Sequence, residues 1–224
     1  MPRPLARPIT YLITGGETSS ATTPSSEEFR RTLALVRAAV GARVTLVQLR
    51  EKSLSGRVLY ELAAAAAQVA RGSGTRVLVN DRADIARAAA CDGVHLTTTS
   101  LDTAAARRAF GEDFLIGVST HTFDEARAAR EGGADFAVFG PVFDTPSKRA
   151  YGSPVGLEAL KGTALGLSPF PLVALGGVGE VEVEQVLQAG AAGVAGIRLF
   201  ANGQNLARTV HLIGRAYDDA LGRA

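Results

Sequence analysis

The hydrophobic residues of the chain fall into short continuous runs, and each run is followed by a longer stretch rich in Ala, Arg and Glu. Runs that are apolar at consecutive positions are typical of parallel strands buried on both faces. Parallel neighbours need crossover connections, and the Ala-rich stretches predict the helices that supply them. Eight such runs can be counted, at Ile9–Thr14, Val44–Leu49, Arg76–Asn80, Gly93–Leu96, Phe114–Ser119, Phe136–Gly140, Leu172–Leu175 and Val194–Ile197.

The ends of several predicted helices carry recognisable capping residues. Ser55 is placed to cap a helix that Gly72 ends, and Asp102 is placed to cap another. A further helix is predicted to begin near Gly179–Glu180. Eight strand–helix units in 224 residues predict an α/β fold, a (β/α)8 TIM barrel, with residues 1–224 forming one domain. A doubly wound sheet is the alternative, but its G-x-G-x-x-G turn is missing after the first run.

The composition and the net charge argue against a nucleic-acid-binding, a membrane-spanning or a disulfide-bonded protein. The net charge is only +2, and no Lys/Arg cluster suggests a nucleic-acid surface. No apolar stretch is long enough to span a bilayer. Cys91 is the only cysteine, which excludes an internal disulfide and fits a reducing compartment. We therefore expect a cytoplasmic protein that acts on small molecules and binds neither nucleic acid nor membrane; whether it forms a homo-oligomer is left open.

Polar residues follow the predicted strands at their carboxyl ends, which share one rim in a TIM barrel. Gln48, Arg50 and Lys52 alternate along a segment predicted to be extended, so their side chains should share a face. Two cations and an amide there suit a phosphate or pyrophosphate. The alternative is a solvated strand end at which Glu51 pairs with a neighbour.

Two further strand ends offer groups for catalysis. Asn80 and Asp81 directly follow the third run and could hold a divalent metal, although Asp81 could instead cap the next helix. Ser119 and His121 end the fifth run, where a rim histidine can act as a general acid or base or be merely structural. His95, in contrast, is interpreted as a strand-interior residue.

The loop after the sixth run is the longest irregular segment, Pro141–Gly156, and loops of this length are usually functional. It contains Thr145 and Ser147, and its Lys148 is predicted to be a lid cation rather than an ordinary surface lysine. After the seventh run, the pair Gly176–Gly177 could bind phosphate through backbone N–H groups, with a tight turn as the alternative.

These segments together resemble the thiamine phosphate synthase family and its relatives, the TenI-like thiazole tautomerases. The resemblance covers nearly the whole chain, and the order and spacing of the segments make it specific. The segments that carry it are Gln48–Lys52, Val79–Arg82, Asp92–Leu96, Ile116–His121, Gly140–Lys148 and Ala174–Val178.

The resemblance implies a transferase that joins hydroxymethylpyrimidine pyrophosphate to thiazole phosphate and releases pyrophosphate with the help of Mg²⁺. It places Arg50, Lys52, Asn80 and Lys148 on the pyrophosphate, Ser119 at the reacting pyrimidine, and the glycine pair on the thiazole phosphate. We therefore predict a catalytic set of Ser119, His121 and Lys148, with Asp81 as the metal ligand. The predicted substrate-binding set is Gln48, Arg50, Lys52, Asn80, Thr145, Ser147, Gly176 and Gly177.

The chain departs from the synthase pattern at three strand ends. Ser100 stands where the pattern H-[LI]-G-Q-x-D has its second metal-binding carboxylate. Arg198 lies in a phosphate segment that often carries Ser, and Gly15–Gly16 occupy a place that often has Asp. The lost aspartate and the segment Val138–Phe143 favour a TenI-like tautomerase, in which His121 is implied to move a proton without a metal. A thiazole phosphate binder without turnover is a third alternative, but the retained Asn80–Asp81 pair and lid lysine favour the synthase.

Overall fold

The structure is a computed structural model, and it describes residues 5–97, 99–144 and 153–222. Eight parallel strands form a closed ring in sequence order, and β1 pairs with β8 to close it. The TIM-barrel prediction is confirmed, and every predicted run overlaps a strand. The strands are β1 (Ile9–Ile13), β2 (Leu46–Leu49), β3 (Arg76–Asn80), β4 (Gly93–Leu96), β5 (Leu115–Thr120), β6 (Phe136–Phe139), β7 (Leu172–Ala174) and β8 (Gly193–Gly196).

Helices follow the strands and surround the ring. A short 3-10 helix, Arg198–Phe200, comes before the last of them. No helix in the described ranges is long and apolar enough to cross a membrane. The helices are α1 (Glu27–Gly41), α2 (Gly56–Ala70), α3 (Ala83–Ala88), α4 (Thr103–Phe110), α5 (Phe123–Glu131), α6 (Gly156–Leu167), α7 (Val183–Gln188) and α8 (Leu206–Gly222).

The strands are apolar throughout because both of their faces are buried. One set of side chains, which includes Ile9, Tyr11 and Phe136, fills the interior of the ring. The alternate set, which includes Leu12 and Val47, packs against the surrounding helices. Alternation along each strand therefore decides which side chains lie inside the barrel and which lie beneath the helices.

Most predicted helix caps are confirmed. The Ser55 side chain accepts a hydrogen bond from the Val58 amide at 3.4 Å, and the Asp102 side chain accepts one from the Ala105 amide at 2.9 Å. The helix expected near Gly179–Glu180 begins only at Val183. The reason is that the Glu182 carboxylate binds the Gly179 amide at 2.9 Å, which holds this stretch in a turn.

The amino-terminal end of the ring is held by two aspartates that each precede a strand. Asp92 pairs with Arg76 at 2.8 Å and accepts the Val77 amide at 2.8 Å. Asp135 pairs with Arg107 at 2.8 Å and also accepts a backbone amide, that of Ile116 at 2.7 Å. Each aspartate thus fastens a neighbouring strand and an arginine to the base of the barrel.

Candidate functional site

The carboxyl ends of the strands bring most of the predicted site residues to one rim. Asp81, Ser119 and the pair Gly176–Gly177 end or follow β3, β5 and β7 in the closed ring. Three predicted residues, Thr145, Ser147 and Lys148, lie outside the described residues.

At the end of β2, the predicted extended segment is shorter than the sequence suggests. The strand stops at Leu49, and a hydrogen bond from the Leu54 amide to the Glu51 carbonyl at 3.2 Å closes a turn that contains Lys52. Gln48 is buried inside the barrel, Arg50 is half-buried at the rim, and Lys52 is exposed. The prediction that these three side chains share one extended face is therefore wrong, since the chain turns once its pairing with β1 and β3 ends.

Glu51 ties the loop between β1 and α1 to the rim. Its buried carboxylate accepts hydrogen bonds from the Thr18 hydroxyl at 2.6 Å, the Gly16 amide at 3.3 Å and the Thr18 amide at 3.4 Å. Glu51 thus has the partners that the alternative predicts, although it is buried and this part of the strand end is not solvated. Arg50 acts on a different residue, because its positive charge contributes to the lowered pKa of the buried His95 ring.

Asp81 occupies an unusual backbone position with neutral partners. Its φ is 62°, a left-handed conformation that is uncommon for a residue other than glycine and often marks functional sites. The Ser100 hydroxyl donates to its carboxylate, and the Asn80 amide donates to it at 3.4 Å. The alternative in which Asp81 caps α3 is wrong, since Arg82 occupies the cap position and no side chain caps it.

Ser100 lies beside Asp81, where the synthase pattern has its second carboxylate. It is held there because the Thr97 amide donates to its hydroxyl oxygen at 2.6 Å. No group of three or more His, Cys, Asp or Glu side chains in the described ranges could hold a metal alone. One carboxylate with hydroxyl and amide oxygens nevertheless fits Mg²⁺, which is often held by one or two carboxylates together with substrate phosphates.

The barrel interior contains a polar network that the sequence analysis missed. The Gln48 side-chain amide donates to the Tyr11 hydroxyl at 2.9 Å, and that hydroxyl lies 3.1 Å from His95 Nδ1. His95 Nε2 lies 2.9 Å from the Ser119 hydroxyl, which reaches the mouth of the barrel. Polar residues within fully buried strands need partners, and this could have drawn attention to Tyr11 and His95 as well as to Gln48.

The network is buried deeply enough to alter its titration. Burial raises the pKa of the Tyr11 phenol well above its usual value, although its hydrogen bond with Gln48 opposes the change. Burial, with a smaller contribution from the positive charge of Arg50, lowers the pKa of His95 to about 3. The His95 ring is therefore neutral at physiological pH, as expected for a strand-interior residue.

His121 lies at the outer side of the rim. A carbonyl can only accept, so the hydrogen bond to the Gly140 carbonyl places the His121 proton on Nδ1. In the neutral ring, Nε2 is then the basic nitrogen. The ring also lines an apolar groove of about 480 Å³ with Phe123, Phe139 and residues of α6, outside the strand ring.

The glycine pair after β7 has a clear packing role. Gly176 and Gly177 have φ values of 96° and 69°, and an added Cβ would lie 2.5 Å from Pro141 Cα or 2.6 Å from Phe143 Cβ. The Gly176 carbonyl also accepts the Phe143 amide at 2.9 Å. The tight-turn alternative is thus satisfied by close approach of the loop after β6, and the phosphate-binding role stays a prediction. Arg198 is exposed in the 3-10 helix after β8.

The sequence matches a known protein family over most of its length. A family model described as thiamine monophosphate synthase (TMP-TENI) matches residues 19–200. The chain belongs to the thiamine monophosphate synthase family. The matched range contains every predicted site residue of this family member, from Gln48 to Gly177.

Individual members of the thiamine monophosphate synthase family agree with this assignment. A putative thiamine-phosphate synthase of Geobacter sulfurreducens is 49% identical over 166 residues, which cover 74% of this chain and 78% of that protein. A thiamine-phosphate synthase of Moorella thermoacetica is 38% identical over 194 residues, covering 87% and 92%. The solved thiamine phosphate pyrophosphorylase of Pyrococcus furiosus superposes with a TM-score of 0.78 at 26% identity, covering 96% of this chain and 98% of that one.

Proposed function

We propose that the chain is a thiamine-phosphate synthase, a transferase that joins hydroxymethylpyrimidine pyrophosphate to thiazole phosphate and releases pyrophosphate. The observation that carries the proposal is that a half-buried cation, Arg50, and the Asp81 carboxylate follow the neighbouring strands β2 and β3 at the same end of the ring. A bound pyrophosphate requires both cationic side chains and a carboxylate that can hold a metal beside it.

Departure of the pyrophosphate is the step that the protein has to assist. When the bond between the pyrimidine methylene and the pyrophosphate oxygen breaks, the methylene becomes a carbocation stabilised by its ring, and the pyrophosphate departs with the electron pair and a developing negative charge. Arg50 is placed to stabilise that charge, while the predicted contributions of Lys52 and Lys148 come from the turn and the lid loop. The thiazole nitrogen is itself the nucleophile, so the reaction needs no activated serine.

Asp81 would hold Mg²⁺ in this site, with the Ser100 hydroxyl and the Asn80 side chain beside it. When bound, the metal neutralises charge on the pyrophosphate oxygens. The carboxylate is suited to this role because its partners among the described residues are neutral groups, which leave its negative charge uncompensated.

The two substrates would meet at the centre of the mouth. Ser119 is the penultimate residue of β5, lies above the buried network and is placed to contact the pyrimidine. The turn at Gly176–Gly177 would contact the thiazole phosphate from the opposite side of the ring of strands. His95 and Tyr11 below Ser119 are almost completely buried, and this close packing would exclude water from the base of the pocket and protect a carbocation.

A TenI-like tautomerase is the second candidate, favoured by two observations. Ser100 supplies a hydroxyl where a second metal-binding carboxylate is expected, and His121 presents Nε2 as a base. This isomerase would rearrange a thiazole carboxylate phosphate and needs no metal.

One assay separates the two candidates. The purified chain is incubated with both synthase substrates, with and without Mg²⁺, and pyrophosphate release and thiamine phosphate formation are measured. Metal-dependent formation of both products is expected. Conversion of the thiazole carboxylate phosphate without pyrophosphate release would contradict the synthase and support the isomerase, whereas thiazole phosphate binding without turnover would support a binder.

Ser100→Asp tests the metal site in the same assay. The new carboxylate would stand beside Asp81, so the Mg²⁺ concentration for half-maximal rate should fall. Ser100→Asn is the matched control, because it adds similar volume without charge. An equal response of the two variants would contradict the assignment of Ser100 to the metal site. Cytoplasmic location and homo-oligomer formation stay predictions.

A further inference from the structure

In the polar network inside the barrel, the donor and the acceptor of each hydrogen bond can be assigned by counting the available protons. Gln48, Tyr11 and His95 are each almost completely buried, whereas Ser119 is only partly buried at the mouth. Their hydrogen bonds of 2.9, 3.1 and 2.9 Å form one chain across the interior, from Gln48 to Ser119. Phe136 packs edge-on against the Tyr11 ring with centroids 5.6 Å apart, which fixes the phenol in this chain.

The Tyr11 hydroxyl determines the direction. It accepts the amide proton of Gln48, so its own single proton is available to His95 Nδ1. If Nδ1 carried a proton, the phenol proton would be left without an acceptor in the interior, which costs free energy. Nδ1 is therefore unprotonated, and the single proton of the ring lies on Nε2.

The consequence appears at the mouth of the barrel. His95 Nε2–H donates to the Ser119 oxygen, so the serine accepts this bond and keeps its own proton for another partner. Because the histidine lies below the serine, that proton is turned toward the pocket. Ser119 is thereby prepared to donate to an acceptor atom such as a heterocyclic ring nitrogen.

We propose that Tyr11 and His95 are positioning residues that fix the Nε2–H tautomer and so hold Ser119 as a hydrogen-bond donor to the substrate heterocycle. The identity of that heterocycle as a pyrimidine rests on the proposed function. The tautomer itself is a property of the protein without substrate and can be tested separately. Tyr11 and His95 would act through Ser119 and would not touch the reacting atoms.

The direct test is nitrogen NMR of the full chain labelled with ¹⁵N-histidine at pH 7. The signal that disappears in His95→Gln identifies this ring among the three histidines of the chain. The expected pattern is a neutral ring with an unprotonated Nδ1 and a protonated Nε2. A protonated Nδ1, in a neutral or a charged ring, would overturn the proposal whether or not the protein is a synthase.

Tyr11→Phe removes the donor to Nδ1 and, with the same hydroxyl, the acceptor of the Gln48 side-chain amide. The His95 nitrogen signals should shift toward a mixture of tautomers, and kcat/KM for the pyrimidine substrate should fall about tenfold. The KM for thiazole phosphate should not change. Tyr60→Phe, at an exposed position of α2, is the matched control and should leave all values unchanged. Unchanged nitrogen signals and kinetics in Tyr11→Phe would overturn the proposal.

A second pair of variants covers the case in which Tyr11→Phe fails to fold. His95→Gln keeps an N–H donor that can reach Ser119, whereas His95→Leu removes it. The glutamine variant should keep about tenfold more kcat/KM than the leucine variant. Equal activity of two folded variants would show that no donor to Ser119 is needed and would overturn the proposal.

Discussion

The two ends of the barrel use aspartate in opposite ways. At the amino-terminal end, Asp135 is saturated by an arginine at 2.8 Å and a backbone amide at 2.7 Å. At the carboxyl-terminal end, the Asp81 carboxylate meets a serine hydroxyl and an asparagine amide, and no ion pair to it is found among the described residues. A compensated carboxylate fastens strands, and an uncompensated one retains the capacity to hold a cation. The difference matches the division of TIM barrels into a stability face and an activity face.

The largest expected effect comes from neutralising the uncompensated carboxylate. Asp81→Asn keeps the shape and tolerates a φ of 62°, so we expect a native stability. Synthase activity should fall about 1,000-fold, or about 4 kcal/mol of transition-state stabilisation. Steady-state kinetics at saturating Mg²⁺ with urea unfolding would check both. If Asp81→Asn lowered the stability but kept full activity per folded molecule, Asp81 would have a stabilising role and the difference between the two ends of the barrel would be contradicted.

The next effect belongs to the opposite end. Asp135→Ala leaves Arg107, whose side chain is 12% exposed, without its ion-pair partner and the Ile116 amide without its acceptor, and should lower the free energy of unfolding by about 3 kcal/mol. The kinetic constants of the folded fraction should not change. Glu61→Ala, in the exposed pair with Arg57, is the control and should cost about 0.4 kcal/mol. Loss of kcat in Asp135→Ala would contradict a purely stabilising role.

The interior below the mouth should show its own pH dependence. The folded pKa of His95 is about 3, below its ordinary 6.5, so the unfolded chain takes up a proton that the folded chain does not. The stabilisation is present above pH 6.5 and is lost as the pH falls toward 3. Between pH 7 and pH 5 this amounts to about 2 kcal/mol.

Comparison with a variant isolates that contribution. His95→Gln should lose about 2 kcal/mol less stability than the native chain when urea unfolding at pH 7 is compared with pH 5. Parallel losses in the two proteins would show that His95 is not kept neutral by the fold.

The smallest effect concerns backbone conformation at the base. Arg43, after α1, has a φ of 59°, nearly the same as the 62° of Asp81 at the rim. Arg43→Gly relieves this conformation and should raise stability by about 0.5 kcal/mol, with activity unchanged. Thermal unfolding would detect the gain. A loss of stability would mean that the arginine side chain contributes more than its backbone costs.

Much of the architecture could be predicted because buried parallel strands leave a simple signature. The runs from Ile9 to Gly196 gave the closed ring, and local capping by Ser55 and Asp102 gave two helix starts. These features depend on neighbours in sequence. The rim was predictable for the same reason, since every residue that follows a parallel strand lies at one end of the ring.

The errors arose where partners are distant in sequence. The run around Tyr11 shows only an apolar strand, and its contact with His95 joins residues 84 positions apart. The turn that contains Lys52 depends on where pairing with the neighbouring strands stops. The packing of the two glycines after β7 against Pro141 and Phe143 was also missed, while their phosphate-binding role stays a prediction. Cross-barrel geometry is needed to see each of these.

The attachment of Glu51 to the first loop has a consequence for the charge balance of the pocket. Arg50 and Glu51 are consecutive, and a free glutamate beside the arginine could cancel its charge. Thr18 and Gly16 bind both carboxylate oxygens, and no ion pair between Glu51 and Arg50 is found among the described residues, so the guanidinium stays available for a phosphorylated ligand. A shorter loop between β1 and α1 would remove these partners of Glu51. The glutamate could then form an ion pair with Arg50 and weaken binding of the phosphorylated ligand, although the residues at the strand ends would be unchanged.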